Sequence, residues 1–283
     1  MKFKLRVDSI LEFGQRKDSE GNPHQEDSIY PEYGRQSAQD RLFILCDGMG
    51  GHEAGEVASS AVCKAMSRNI LEECDPEGSF NSSDFLRALE VAYNALDDND
   101  NGSPKTMGTT LAFLKFHEKG AFIAHIGDSR VYHIRPGKTG NDTLILHETF
   151  DHSLLNQLVK MGEMTKEEAM ESGQRNVITR AMQPHLGHRP KADIYETKDI
   201  KGGDYFYLCS DGMLENPDME NGDTIKNVFS LEGGDFEEKV KTLRQATLQN
   251  RDNHSAFIIL IQGISEKKCS FGSMLKRVLG LKF

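Results

Sequence analysis

The run of apolar and polar positions divides the chain into strands with no wet face and helices with one. Leu42 to Cys46 is five apolar residues in succession, the pattern of a strand buried on both sides. Ala121–Ile126, Tyr205–Cys209 and Ala256–Ile261 read the same way, whereas the opening MKFKLRVDSILEF alternates and predicts a half-exposed strand. Helical spacing lies between them. Val57, Ala61, Val62, Ala65 and Met66 fall on one predicted face, and Phe85, Leu89, Ala92, Tyr93 and Leu96 define another over 84–97. Phe236, Val240 and Leu243 mark a third helix. Residues 150–182 predict two short helices and a loop, too polar for a central core, with Thr165 and Glu168 spaced as a capping box.

Each buried-type strand has an acid at one end. Asp47 follows Cys46, Asp128 follows Ile126-Gly127, Asp211 follows Cys209-Ser210, and Asp252 stands just before Ala256. If the strands lie side by side, these acids collect at one rim of a sheet, with Glu26 and Asp27 of HQEDS as further members. One aspartate beside a glycine is an ordinary turn or cap. A set of them repels itself unless something neutralises it. With no cysteine or paired histidine among them, the oxygens suit Mg2+ or Mn2+ better than Zn2+. Gly48, Gly50 and Gly51 predict a sharp turn after Asp47, where a backbone carbonyl can approach as another oxygen ligand.

Composition narrows the partners. A net charge of −10 argues against nucleic acid as a general partner. No apolar stretch resembles a signal peptide or a membrane span, and the five cysteines form no CxxC pair. The expectation is a cytoplasmic protein with reduced thiols. Asp97-Asn99-Asn101 lacks the glutamate that closes a calcium loop, His52-Glu53 lacks the second histidine of a zinc protease, and no serine sits in a nucleophile elbow. His125 and His133 are expected in or beside a strand, and His152 and His185 on surface-type segments. After about Ser265 the composition changes: residues 266–283 carry five basic side chains against one acid, with Phe271, Met274, Leu275, Val278 and Leu279 at helical spacing. This tail is expected to dock a partner or its own domain, with a membrane surface as the lesser alternative.

CDGMGGHEAGEVAS, MGTTL, HIGDSR, CSDGM and DNHS, in this order and spacing, resemble the metal-dependent serine/threonine protein phosphatases of the type 2C (PPM) family, in its bacterial form. The resemblance runs from about Gly14 to Gly263. It implies an α+β fold, a four-layer αββα sandwich of two packed antiparallel sheets flanked by helices, over residues 1–265 with a flap at about 150–182. It implies hydrolysis of phosphoserine and phosphothreonine in proteins by a metal-bridged water or hydroxide, with Mn2+ or Mg2+ as two core ions and a weaker third. By the same resemblance Asp47 bridges the two metals and Gly48 ligates through its carbonyl. Asp211 and Asp252 complete the coordination of the first metal, Glu26 and Asp27 support the second metal through waters, and Asp128 joins Asp211 at the third. His52 is the implied proton donor.

The family places a phosphate-binding arginine a few residues before its Glu-Asp pair. Here position 22 is Asn and the nearest arginine is Arg16, so residues between them read as a loop insertion that leaves Arg16 able to reach phosphate. Phosphorylated proteins and a serine/threonine kinase system are the implied partners. An inactive phosphoprotein-binding relative and a phosphatase of small metabolites are the alternatives.

Overall fold

A computed structural model of the chain describes residues 1–265 except 18–19, 51–52, 101, 103–106, 166–167, 169–171, 173–176, 217–218 and 220–221. His52 and the tail at 266–283 therefore lie outside the described residues.

The buried-type strands form, and they belong to two different sheets. One antiparallel sheet has the order β1-β11-β10-β7-β8, built from β1 (Lys2–Glu12), β7 (Arg130–Arg135), β8 (Leu144–Glu148), β10 (Tyr205–Cys209) and β11 (His254–Ser265). The other has the order β2-β3-β5-β6-β9, from β2 (Asp27–Tyr30), β3 (Leu42–Met49), β5 (Leu111–His117), β6 (Gly120–Ile126) and β9 (Asp193–Thr197), with β4 (Gly108–Thr109) paired to the end of β3. Helices α1 (Glu53–Glu73) and α2 (Ser82–Asn99) cover the outer face of the second sheet; α4 (Gly222–Phe229) and α5 (Phe236–Thr247) cover the first. The short α3 (Leu154–Met161) lies in the connection from β8 to β9.

Three apolar layers follow from this stacking. Alternate residues of β3 divide between two of them. Phe43 and Leu45 enter the layer between the sheets, whereas Leu42, Ile44 and Cys46 pack under α1 and α2. A strand between two covered faces has no polar side, so its sequence reads as an unbroken apolar run. Aromatic pairs reach across the gap: Phe43 meets Phe257 at 5.3 Å between ring centroids, and Phe116 meets Phe206 at 5.0 Å, both edge to face. Each such pair adds roughly 0.5–1.5 kcal/mol beyond burial of its area. α2 starts at a capping box, in which Asn81 accepts the amides of Ser83 and Asp84 while Asp84 accepts that of Asn81.

Three details depart from the sequence reading. The acids gather from both sheets and not along one. Val57 is exposed, and the buried stripe of α1 runs through Ala58, Val62, Met66 and Ile70. Gly48 does not turn the chain: β3 continues to Met49, and the turn comes at Gly50, whose φ is +121°. Thr165 and Glu168 do exchange capping-box hydrogen bonds. Among the described residues, no helix is long and apolar enough to cross a membrane.

Candidate active site

Strand alternation explains how the acids meet. Asp47 shares the face of Phe43 and Leu45, and Asp27 that of Ile29, so both point between the sheets; they stand directly opposite each other in the β2–β3 register. From the other sheet Ser210 and Ser255 take the corresponding positions after Leu208 and before Phe257, beside the Asp27 carboxylate. Asp211 follows in a 3-10 turn over Asp211–Met213, and its carboxylate lies close to that of Asp47 across the gap. Asp128 enters from the β6–β7 turn, and Asp252 from the residues that lead into β11. The structure thus brings Asp27, Asp47, Asp128, Asp211 and Asp252 to one rim of the sandwich.

The backbone around them is tightly set. The Glu26 amide donates to Asn253 Oδ1 at 3.0 Å, and its carbonyl accepts from Gly48 N at 3.1 Å and Ser59 Oγ at 2.6 Å. A Cβ on residue 48 would stand 2.2 Å from the Gly55 carbonyl oxygen and 2.5 Å from that of Glu26, so only glycine fits. Asn253 completes the tie by donating Nδ2 to the His24 carbonyl at 2.8 Å. Thr110 Oγ1 accepts the Asp47 amide at 3.0 Å.

Crowding shows in the acidities. Burial first, then the charges of Asp27 and Asp211, push the Asp47 carboxyl well above the ordinary carboxylate value. Burial likewise raises Asp27 to about 7, Asp128 to about 8 and Asp211 to about 6, with neighbouring carboxylates adding to each. Asp27 Oδ2 and Asp128 Oδ1 are buried with no hydrogen-bond partner among the described residues. Clustered carboxylates that raise one another's pKa, with oxygens left unpaired, are the donor set a hard divalent cation requires. The residues present fit Mn2+ or Mg2+.

A cleft opens beside this rim, lined among others by Arg16, Asp128, Arg130, Asp151, Asp211 and Asp252. Arg16 reaches it. Gln15 N and Arg16 N donate to the Asn250 and Arg251 carbonyls, a Lys17–Pro23 bridge closes the intervening loop, and Arg16 Nη1 lies 2.7 Å from Asp252 Oδ2. Arg130 is bidentate to Asp151, at 2.8 and 2.7 Å.

Sequence reasoning passed over Asn253 and Asp151, although both stand inside short polar stretches next to named residues, DNHS and FDHS. It placed His152 on the surface, and the structure buries it. His125, His152 and Asp193 form a second cluster of metal-ligating types. His152 Nδ1 accepts the Gly127 amide, which leaves the proton on Nε2, and Arg180 Nη1 sits 2.7 Å from Asp193 Oδ1. Arg180 already supplies a positive charge there and the Gly127 amide takes His152 Nδ1, both of which weigh against a cation.

Residues 13–252 match the family described as Protein phosphatase 2C. The chain belongs to that family. Among curated type 2C relatives, the serine/threonine protein phosphatase PstP of Mycobacterium tuberculosis is 34% identical over 217 residues, which are 74% of this chain and 38% of PstP. The chain thus spans little more than a third of that relative's length. Protein phosphatase PhpP of Streptococcus pneumoniae is 34% identical over 191 residues, covering 67% of this chain and 72% of PhpP. The crystal structure of M. tuberculosis PstP superposes with a TM-score of 0.71 at 29% identity, over 91% of this chain and 99% of that one. A structure of the PstP catalytic domain in complex with two manganese ions gives 0.68 at 29% identity, over 90% and 97% of the two chains. The sandwich is the fold of these type 2C phosphatases.

Proposed function

We propose that this chain is a metal-dependent protein serine/threonine phosphatase and that the rim cluster is its active site. The observation that carries this reading is the convergence of five aspartates from two sheets on one rim, where Asp128, Asp211 and Asp252 line a cleft and two carboxylate oxygens are buried and unpaired. Asp47, Asp211, Asp252 and the Gly48 carbonyl would hold a first pair of cations. Glu26 and Asp27 support the side of the second sheet, and Asp128 with Asp211 forms a further, weaker position. Similarity to a PstP domain that holds two manganese ions supports this assignment. The cations, when bound, activate water for attack on phosphorus and offset charge on the phosphoryl oxygens.

The chain's own groups prepare that step. Arg16 is held at the cleft by its backbone bonds and pairs with Asp252. With Asp252 given over to a cation, the guanidinium would be left to take two oxygens of a phosphoryl group. Gly48, with no side chain, leaves its carbonyl close to Asp47. The cleft is open at the rim and suits a phosphorylated segment of a protein, in keeping with the names of the relatives; an opposing protein kinase is the corresponding partner. Residues 1–265 would form the phosphatase domain, 150–182 its flap, and the basic tail a docking segment for a partner or this domain. His52 keeps its implied role as proton donor, outside the described residues.

The test is hydrolysis of a phosphothreonine peptide and of an aryl phosphate, with and without Mn2+. Turnover of both only with metal, and a loss of at least a thousandfold in Asp211→Asn, is the expected result. Binding of phosphopeptide without turnover would replace this reading with the inactive relative, and turnover of the aryl ester alone would replace it with a metabolite phosphatase.

A further inference from the structure

His152 stands apart from the carboxylates, yet both its ring and its backbone are committed to the turn that carries one of them. Its Nδ1 accepts the Gly127 amide at 3.0 Å, and its own amide donates to the Gly127 carbonyl at 2.9 Å. Two bonds therefore bracket the residue before Asp128. Gly127 has a φ of +104°, and a Cβ there would lie 2.6 Å from Thr110 Cγ2, so this turn has little room to re-form. On the far side of Asp128, Arg130 is clamped by Asp151, the neighbour of His152.

The opposite edge of His152 faces the returning end of the β8–β9 connection. Its carbonyl accepts from Thr179 N at 2.7 Å and Thr179 Oγ1 at 2.9 Å. Nε2 lies 3.2 Å from Asp193 Oδ2, beside Arg180. His125 stacks on the ring at 4.5 Å between centroids and is itself held to the Phe150 carbonyl. Because Nδ1 is an acceptor, the proton sits on Nε2 toward Asp193. A carboxylate on one ring nitrogen fixes the tautomer and plane of the other.

We propose that His152 is a positioning residue that sets the Asp128 carboxylate in the cleft and makes its placement depend on how the connection between 153 and 180 is seated. This rests on the phosphatase reading, in which Asp128 holds a cation. His152 itself touches neither the cleft's cations nor the phosphate; it acts through the Gly127 peptide.

Three variants of the full chain separate this from a packing role. His152→Ala removes the acceptor and leaves a buried amide unpaired. His152→Asn can place Oδ1 where Nδ1 stood, keeping that bond and losing Asp193. His152→Gln reaches toward Asp193 but has no acceptor at the Nδ1 position, so it serves as the loss variant if the alanine chain does not fold. Amide hydrogen exchange is measured on the metal-free chain, and Mn2+ uptake by calorimetry. In the alanine or glutamine variant, exchange across 126–130 should rise and the weakest Mn2+ step should weaken roughly tenfold, while asparagine restores both. Unchanged exchange at 126–130, unchanged Mn2+ uptake, or an asparagine variant as impaired as alanine overturns the proposal. A wild-type chain that takes up no Mn2+ overturns the phosphatase reading and this inference with it; normal uptake in wild type and alanine variant alike overturns only the inference.

Discussion

Arg16 is the one cationic side chain seen paired with a carboxylate of the rim cluster among the described residues, and its partner is Asp252 at 2.7 Å. Its side chain is 59% exposed, so the pair contributes little to stability and the guanidinium can exchange partners at small cost. Arg16→Ala should therefore leave the fold and the melting temperature unchanged and raise KM for a phosphothreonine peptide about tenfold, the usual loss for one charge-assisted hydrogen bond. Steady-state kinetics at saturating Mn2+ checks this; an unchanged KM would leave phosphate to the cations alone. Arg16 was legible because the chain offers no other arginine ahead of Glu26 near the end of β1. His152 was not. Its neighbours Asp151 and Ser153 are polar, and nothing in a polar stretch reveals that the ring fits under Gly127. Val57 misled for a related reason: apolar spacing fixes a helical stripe only to within one residue, and here Ala58 faces inward while Val57 does not.

Elements were read more easily than their partners. Tyr205–Cys209 forms a strand over the very residues whose apolar run announced it, because both faces are covered. β8 and β9 gave no such signal, since their faces are largely exposed. Which strands neighbour one another depends on contacts far apart in sequence, so the meeting of Asp47 with Asp211 across two sheets could not be read from strand ends. Asn253 belongs to this scale. Its side-chain amide pairs with the backbone of residues 24 and 26 as a strand would, and so ties the start of β11 to the start of β2. Asn253→Ala should cost about 1–3 kcal/mol through the buried groups left unpaired. It should also weaken Mn2+ binding several-fold, because the two halves of the cluster lose their common brace. Denaturant unfolding and calorimetry measure the two effects; lost stability with full Mn2+ affinity would show that the tie does not set the spacing.

For the whole molecule the cluster is a liability until a cation fills it. Asp27, Asp128 and Asp211 have values of about 7, 8 and 6 in the folded chain, against about 4 when unfolded. Between these limits the folded state holds protons that the unfolded state has released, so stability is greatest below the ordinary carboxylate value and is lost as pH rises toward about 8. The metal-free chain should melt several degrees lower at the alkaline end of this range than at the acid end, and Mn2+ should reverse the trend, with protons released on binding. Calorimetric scans across the range, with and without Mn2+, test this; a metal-free melting temperature that rises with pH would contradict it. The pairing of β1 with β11, from Lys2 opposite Ser265 to Glu12 opposite His254, carries a consequence for biosynthesis. β1 leaves the ribosome before β11 and must wait for it before their sheet can close. Asp252 and the Arg16 turn gain their supports only then, so a nascent chain that has not yet presented β11 lacks a complete cleft.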